Sequence, residues 1–199
     1  MIKTIVFDLG NVIALFDTNK ASRNLAKYTS VPAERINEIF ASELMDKFER
    51  GAFSGKEFFE KVKQQYALTC TYVVFEVAWS DMFTINQPVI DLMRNLTKNY
   101  RLVMLSNTNE IHYDFVMRTF PLDMLEYHVL SFRVGHRKPE REIYFEAMRH
   151  SRCKPAEMTY TDDIPEFAKA ATKIGMHGIL FQSVEQLTDD LRRLGVRGI

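Results

Sequence analysis

Five short apolar runs punctuate the chain, and most of them stop abruptly at polar residues. Residues 2–7 carry Ile2, Ile5, Val6 and Phe7 and end at Asp8 and the turn signal Gly10-Asn11. Residues 101–105 (RLVML) end at Ser106-Asn107, and residues 158–161 (MTYT) end at Asp162-Asp163. Residues 127–130 and 177–181 (HGILF) complete the set. Apolar runs this short, bounded by turn residues and rich in β-formers, predict buried strands. Between the later runs the apolar positions change to helical spacing. This predicts helices over 109–120, 140–150, 164–174 and 184–194, the last with Leu187, Leu191 and Leu194 in register. Strands alternating with helices predict right-handed crossovers and a parallel sheet covered on both faces.

The first crossover breaks this rhythm. Between the first two strands, residues 15–99 read as almost entirely helical. Pro32 suits the first turn of a helix, Gly51 a stop between two helices, and Ser54-Gly55-Lys56-Glu57 a capping box before Phe58, Phe59 and Val62. A connection of this length is an insertion rather than a loop. The expected fold is therefore α/β: a Rossmann-like doubly wound parallel sheet with a helical cap subdomain inserted after the first strand. Residues 1–14 and 88–199 would form the core and residues 15–87 the cap. The insertion leaves from the carboxyl end of the first strand, where open α/β sheets bind ligands, so it should roof the site.

Composition narrows the partners. Of 199 residues, 46% are hydrophobic and 26% charged, which fits an ordinary globular chain. Acids balance bases at a net charge of zero, with no basic stripe, so nucleic acid is not an expected partner. The apolar opening is too short for a bilayer span and is interrupted by Asp8, so no membrane association is expected. Two cysteines without metal-type spacing, Cys70 and Cys153, fit a reducing, cytoplasmic location.

Four sites carry candidate chemistry, and in such a sheet the strand ends among them converge. Asp8, followed by Leu9-Gly10-Asn11, could attack phosphorus or simply stabilise a turn. Ser106-Asn107-Thr108-Asn109 offers a hydroxyl and backbone N–H groups to phosphate oxygens, or a helix cap from Thr108 or Asn109. Lys138, ahead of a helix that Pro139 would start, could neutralise both a carboxylate and a phosphoryl group, or be an exposed lysine. The pair Asp162-Asp163 is costly to assemble without a cation and suits Mg²⁺, although Asp163 and Glu166 also read as a capping pattern.

Taken in order, Asp8, Ser106, Lys138 and Asp162-Asp163 resemble the four motifs of the haloacid dehalogenase-like hydrolases. The resemblance runs from Ile2 to about Phe181. The wording FDLGNVI, LSNTNEIH, RKPEREIY and TDD is similar to the subgroup containing bacterial α-glucose-1-phosphate phosphatase and the phosphatase domain of soluble epoxide hydrolase. The resemblance implies a Mg²⁺-dependent phosphatase acting on a small phosphorylated metabolite, possible sugar phosphates included, through an aspartyl phosphate on Asp8. It implies Mg²⁺ held by Asp8, the Gly10 carbonyl and Asp163, with Asp162 beside them. Ser106 and Asn107 would hold the phosphoryl oxygens, and Lys138 would bridge Asp8 and the phosphate.

Two positions depart from the family pattern. Relatives usually carry an acid/base Asp two positions after the nucleophile, where this chain has Gly10. Such a group is typically worth ~10²–10⁴ in rate. Its absence leaves three readings: substrates with good leaving groups such as hexose 1-phosphates, a substitute such as His112, or a catalytically weak phosphate-binding protein. Phe167 stands where relatives often have Asn in the acid-pair loop. A metal-independent haloacid dehalogenase would share the nucleophile, serine and lysine but has no need for the acid pair. In the cap, Phe16, Phe48, Arg50 and Trp79 are candidates for substrate selection, or for packing and helix ends.

Overall fold

The computed structural model describes all residues 1–199. Five strands form the parallel sheet: β1 (Thr4–Phe7), β4 (Arg101–Ser106), β5 (Tyr127–Leu130), β6 (Met158–Asp162) and β7 (His177–Leu180), in the order β5-β4-β1-β6-β7. The five predicted strands are all present, with ends shifted by a residue or two. β1 pairs in parallel with β4 on one side and with β6 on the other. The chain therefore turns outward in opposite directions from β1, and a crevice opens at the carboxyl ends beside it.

Alternation along β1 splits the core. Ile5 and Phe7 join Leu102 and Met104 on one face, with Val89 and Met93 of α6 (Gln87–Leu96) and Leu187 and Leu191 of α11 (Val184–Arg193). Val6 joins Val103 and Tyr160 on the other, against Ile143 and Tyr144 of α9 (Arg141–Ser151) and Ala171 of α10 (Pro165–Lys173). Strands buried on both faces read as unbroken apolar runs, which is what made them visible in the sequence. The helix predicted over 109–120 is α7 (Glu110–Thr119), with Asn109 capping it.

Between β1 and β4 lie α1 (Thr18–Ala26), α2 (Ala33–Asn37), α3 (Glu43–Glu49), α4 (Gly55–Tyr66) and α5 (Tyr72–Ser80). They share an aromatic core in which Phe48 stacks on Phe58 at 4.0 Å and Phe40 on Trp79 at 4.5 Å. The capping box of Ser54 and Glu57 forms as its spacing predicts. Gly51 adopts φ +75°, and a Cβ there would lie 2.0 Å from the Phe132 carbonyl oxygen, so only glycine lets the α3–α4 turn approach α8 (Ser131–Val134) this closely.

The insertion is not wholly helical. Its entry and exit form an antiparallel ribbon of β2 (Ala14–Phe16) and β3 (Phe83–Ile85). Three-residue strands are too short for a periodicity to register. Asn86 ties the ribbon to the site by donating from Nδ2 to the Val12 carbonyl at 2.9 Å. No helix is long and apolar enough to cross a membrane.

Candidate active site

Asp8 follows the last residue of β1 and is almost fully buried. Its Oδ1 accepts from the Leu9 N–H at 2.7 Å and lies 2.7 Å from Lys138 Nζ. Burial pushes the carboxyl up to about 7 against the pull of Lys138, with the Asp162 charge adding to the rise.

Lys138 is itself 4% exposed, so the bland expectation of a solvated lysine fails. A buried ammonium needs paired acceptors, and Lys138 donates to Asp162 Oδ2 at 2.7 Å as well as facing Asp8. The rings of Phe167 and Tyr160 lie 5.1 and 5.6 Å from Nζ. Phe167 thus supplies an aromatic face where an amide would offer hydrogen bonds. An ammonium has three donors, and two are used, which leaves one for a ligand. Pro139 does not start the following helix: α9 begins at Arg141 with Glu140 as its cap residue.

Asn107 aligns the lysine from the neighbouring strand end. Its Oδ1 accepts from the Lys138 N–H at 2.8 Å, and its Nδ2 donates to the Lys138 carbonyl at 3.1 Å. The side chain is therefore committed to the lysine loop. Its backbone N–H, like that of Gly10, donates to no protein acceptor. The segment after Asn107 is fixed by Ser131, whose hydroxyl accepts from the Thr108 N–H and donates to the Thr108 carbonyl, both at 2.9 Å. Ser106 lies buried at the end of β4, its hydroxyl 3.4 Å from the Asn107 carbonyl.

The acid pair divides its work. Asp162, wholly buried, accepts from the Tyr160 hydroxyl and Lys138 at Oδ2 and from the Ile164 N–H at Oδ1, 2.8 Å away. Asp163 is half-buried and accepts from Asn11 Nδ2 at 3.0 Å. Asn11 takes φ +53°, a left-handed conformation that asparagine tolerates better than most residues. Ligand oxygens of Asp8, Asp162 and Asp163 all lie within 4.8 Å of one another. Three carboxylates gathered here, two of them paired with the one Lys138 ammonium, leave an excess of negative charge in a largely buried place. The Gly10 carbonyl beside them accepts no hydrogen bond from the protein. Hard oxygens in this number fit a divalent cation of the magnesium type.

Of the readings for the missing acid, His112 fails. It is 4% exposed, stacked on Trp79 at 5.4 Å with the Phe83 ring edge-on at 5.1 Å, and its Nδ1 pairs with Asn109 Nδ2. Burial pushes it down to about 3, so it is neutral in physiological conditions and has no proton of useful acidity. Among the cap candidates, Phe48 and Trp79 are core residues, 1% and 0% exposed. Arg50 is spent on Glu140 and Asp46. Phe16 does reach the site: its Cε1 lies 3.0 Å from where a Cβ on Gly10 would be. It lines a cavity of about 180 Å³ with Gly10, Asn107, Met45, Glu49 and His112. Sequence reasoning missed Asn11, Tyr160, Ser131 and Glu49. The first could have been suspected from its turn position, and the others carry no local signal.

Comparison with known proteins agrees with this geometry. The family described as haloacid dehalogenase-like hydrolase matches residues 2–175. D-ribitol-5-phosphate phosphatase of Bacteroides thetaiotaomicron is 30% identical over 172 residues, covering 82% of this chain and 84% of that protein. A crystal structure of an enzyme of the same family from B. thetaiotaomicron, in complex with magnesium and inorganic phosphate, superposes with a TM-score of 0.83 at 25% identity over 92% of this chain and 95% of that one. A predicted hydrolase of this type from Porphyromonas gingivalis superposes with a TM-score of 0.84 at 27% identity over 99% of both chains.

Proposed function

This chain belongs to the haloacid dehalogenase-like hydrolases, it is a phosphatase of that family, and we propose that its substrate is a small sugar or polyol phosphate. The observation that carries this reading is the pairing of a buried carboxylate, Asp8, with a buried ammonium, Lys138, beside a further acid pair. The curated relative that aligns over most of the chain acts on D-ribitol 5-phosphate. The wording FDLGNVI and LSNTNEIH supports, more finely, kinship with the α-glucose-1-phosphate phosphatase subgroup.

In this reading Asp8 attacks phosphorus in line and becomes an aspartyl phosphate, which water then hydrolyses. The free N–H groups of Gly10 and Asn107, the Ser106 hydroxyl and the third N–H of Lys138 hold the phosphoryl oxygens. Asp162 keeps Lys138 in place, because both of its oxygens already accept from protein donors. Asp8, Asp163 and the Gly10 carbonyl hold Mg²⁺. The bound ion supplies Lewis-acid neutralisation of phosphoryl charge. A metal-independent dehalogenase is the poorer reading, since it gives Asp163 and its partner Asn11 no task.

A panel of phosphorylated metabolites with added Mg²⁺ tests the proposal. It should contain pentitol 5-phosphates, pentose 5-phosphates and hexose 1- and 6-phosphates. We expect hydrolysis of one or a few sugar or polyol phosphates, abolished by EDTA and reduced by on the order of 10³ or more in Asp8→Asn. Activity that persists in Asp8→Asn, or a panel in which only non-carbohydrate esters are cleaved, contradicts it.

A further inference from the structure

Resting on the phosphatase reading, we propose that Glu49, reaching down from the insertion, is the acid/base residue of this enzyme, in place of the side chain that Gly10 lacks. In-line attack by Asp8 puts the leaving oxygen on the far side of phosphorus, away from the sheet and toward the insertion. The space there is the cavity that Gly10, Asn107 and Phe16 share with Glu49. Phe16 occupies the ground that a side chain at position 10 would need. A donor must therefore come from elsewhere on the wall. The ionisable side chains on that wall are Glu49 and His112, and His112 is held neutral by burial.

Glu49 is built for the task. Its side chain is 13% exposed, and its Oε2 lies 2.7 Å from Arg137 Nη2, one residue from Lys138. Oε1 accepts no hydrogen bond from the protein. Burial raises the carboxyl above the ordinary glutamate range against the pull of Arg137, while Asp46 adds to the rise and Lys138 and Arg50 oppose it. An alkyl phosphate such as a polyol phosphate has a poor leaving group and requires such a donor.

The protons balance over the two half-reactions. As the bond from phosphorus to the substrate oxygen breaks and the bond to the Asp8 oxygen forms, the Glu49 carboxylic acid gives its proton to the departing alkoxide, releasing an alcohol. The Glu49 carboxylate then takes a proton from the water that attacks phosphorus. The bond to Asp8 breaks, inorganic phosphate leaves, and both carboxyls return to their starting states.

Leaving-group dependence tests this. D-ribitol 5-phosphate and p-nitrophenyl phosphate are compared in rapid-mixing experiments on the wild type, Glu49→Gln, Glu49→Asp and Arg137→Gln. In Glu49→Gln, turnover of the alkyl ester should fall by ~10²–10⁴. The aryl ester, whose phenolate leaves unprotonated, should still give a burst of one p-nitrophenolate per enzyme at the wild-type rate, followed by slow turnover. Glu49→Asp, which keeps the carboxyl, and Arg137→Gln, which leaves Glu49 in place but removes the partner it shares with Asp46, should keep an alkyl-to-aryl ratio within about tenfold of wild type. Equal losses on both esters in Glu49→Gln, burst included, or no loss on either, overturn the assignment. So does an Arg137→Gln ratio as distorted as that of Glu49→Gln, which would mean that the ion pair alone matters. A wild type without Asp8-dependent hydrolysis of either ester would instead sink the phosphatase reading, and this proposal with it.

Discussion

Asp162 and Asp163 are adjacent, yet the fold gives them different surroundings and hence different predicted behaviour. Asp163 accepts only one bond, from Asn11, whereas Asp162 already accepts three, from Tyr160, Lys138 and Ile164. Asp163→Ala should therefore raise the Mg²⁺ concentration needed for half-maximal activity by at least tenfold, measured by metal titration of turnover. Asp162→Asn should leave that requirement within a few-fold and lower turnover instead, by removing one of the two carboxylates that pair with the buried Lys138 ammonium. Equal metal dependence in the two variants would contradict this division. That Asp8 and the acid pair meet at one sheet rim was legible in the sequence because each closes or follows a predicted strand, whereas Lys138 was marked only by its place ahead of a predicted helix. Tyr160 was not, because an aromatic inside a β-run reads as core. Asn11 read only as a turn residue.

At the scale of elements, α3 and the loop of residues 136–140 are joined by a network of ion pairs. Arg50 donates two hydrogen bonds to Glu140, at 3.1 and 2.6 Å, and one to Asp46 at 2.9 Å. Arg137 pairs with Asp46 and Glu49, and His136 with Glu140. The loop that carries Lys138 is thus clamped to the insertion, and the turn at Gly51 brings the partners close. Hydrogen bonds from Arg50 hold the Glu140 carboxyl down at about 2. Its folded value is depressed, so its stabilisation is complete above the unfolded glutamate range and is lost as pH falls toward 2. Glu140→Gln should accordingly melt below the wild type at neutral pH, by about 1 kcal/mol given the partial exposure of the pair. The gap should close on acidification to about pH 2, and a gap independent of pH would contradict the assignment. None of this was readable beforehand. Arg50 looked like the end of a helix or a substrate contact, and ion pairs linking residues some 90 positions apart leave no trace in local spacing.

Over the whole molecule, a parallel sheet converges five strand ends on one rim, and an insertion closes over that rim. We propose the division that the periodicity suggests, with residues 15–87 as the cap and residues 1–14 and 88–199 as the core. The helices of the insertion and the αβ alternation were legible because burial on one or two faces writes a period into the chain. The ribbon of β2 and β3 was not, being three residues on each side. The cavity between cap and core was also invisible, since Phe16, Met45, Glu49 and Asn107 meet only in three dimensions. Everything assigned to this site depends on a covalent bond forming at Asp8. The direct test is to mix the protein with Mg²⁺ and an excess of a cleaved phosphate ester, quench in acid within milliseconds, and locate phosphoryl groups by mass spectrometry of the peptides. The account predicts a phosphoryl group on Asp8 that is absent from Asp8→Asn and from samples quenched in EDTA without the metal. Sustained turnover with no acyl phosphate on Asp8, or with the phosphoryl group on another residue, would contradict it.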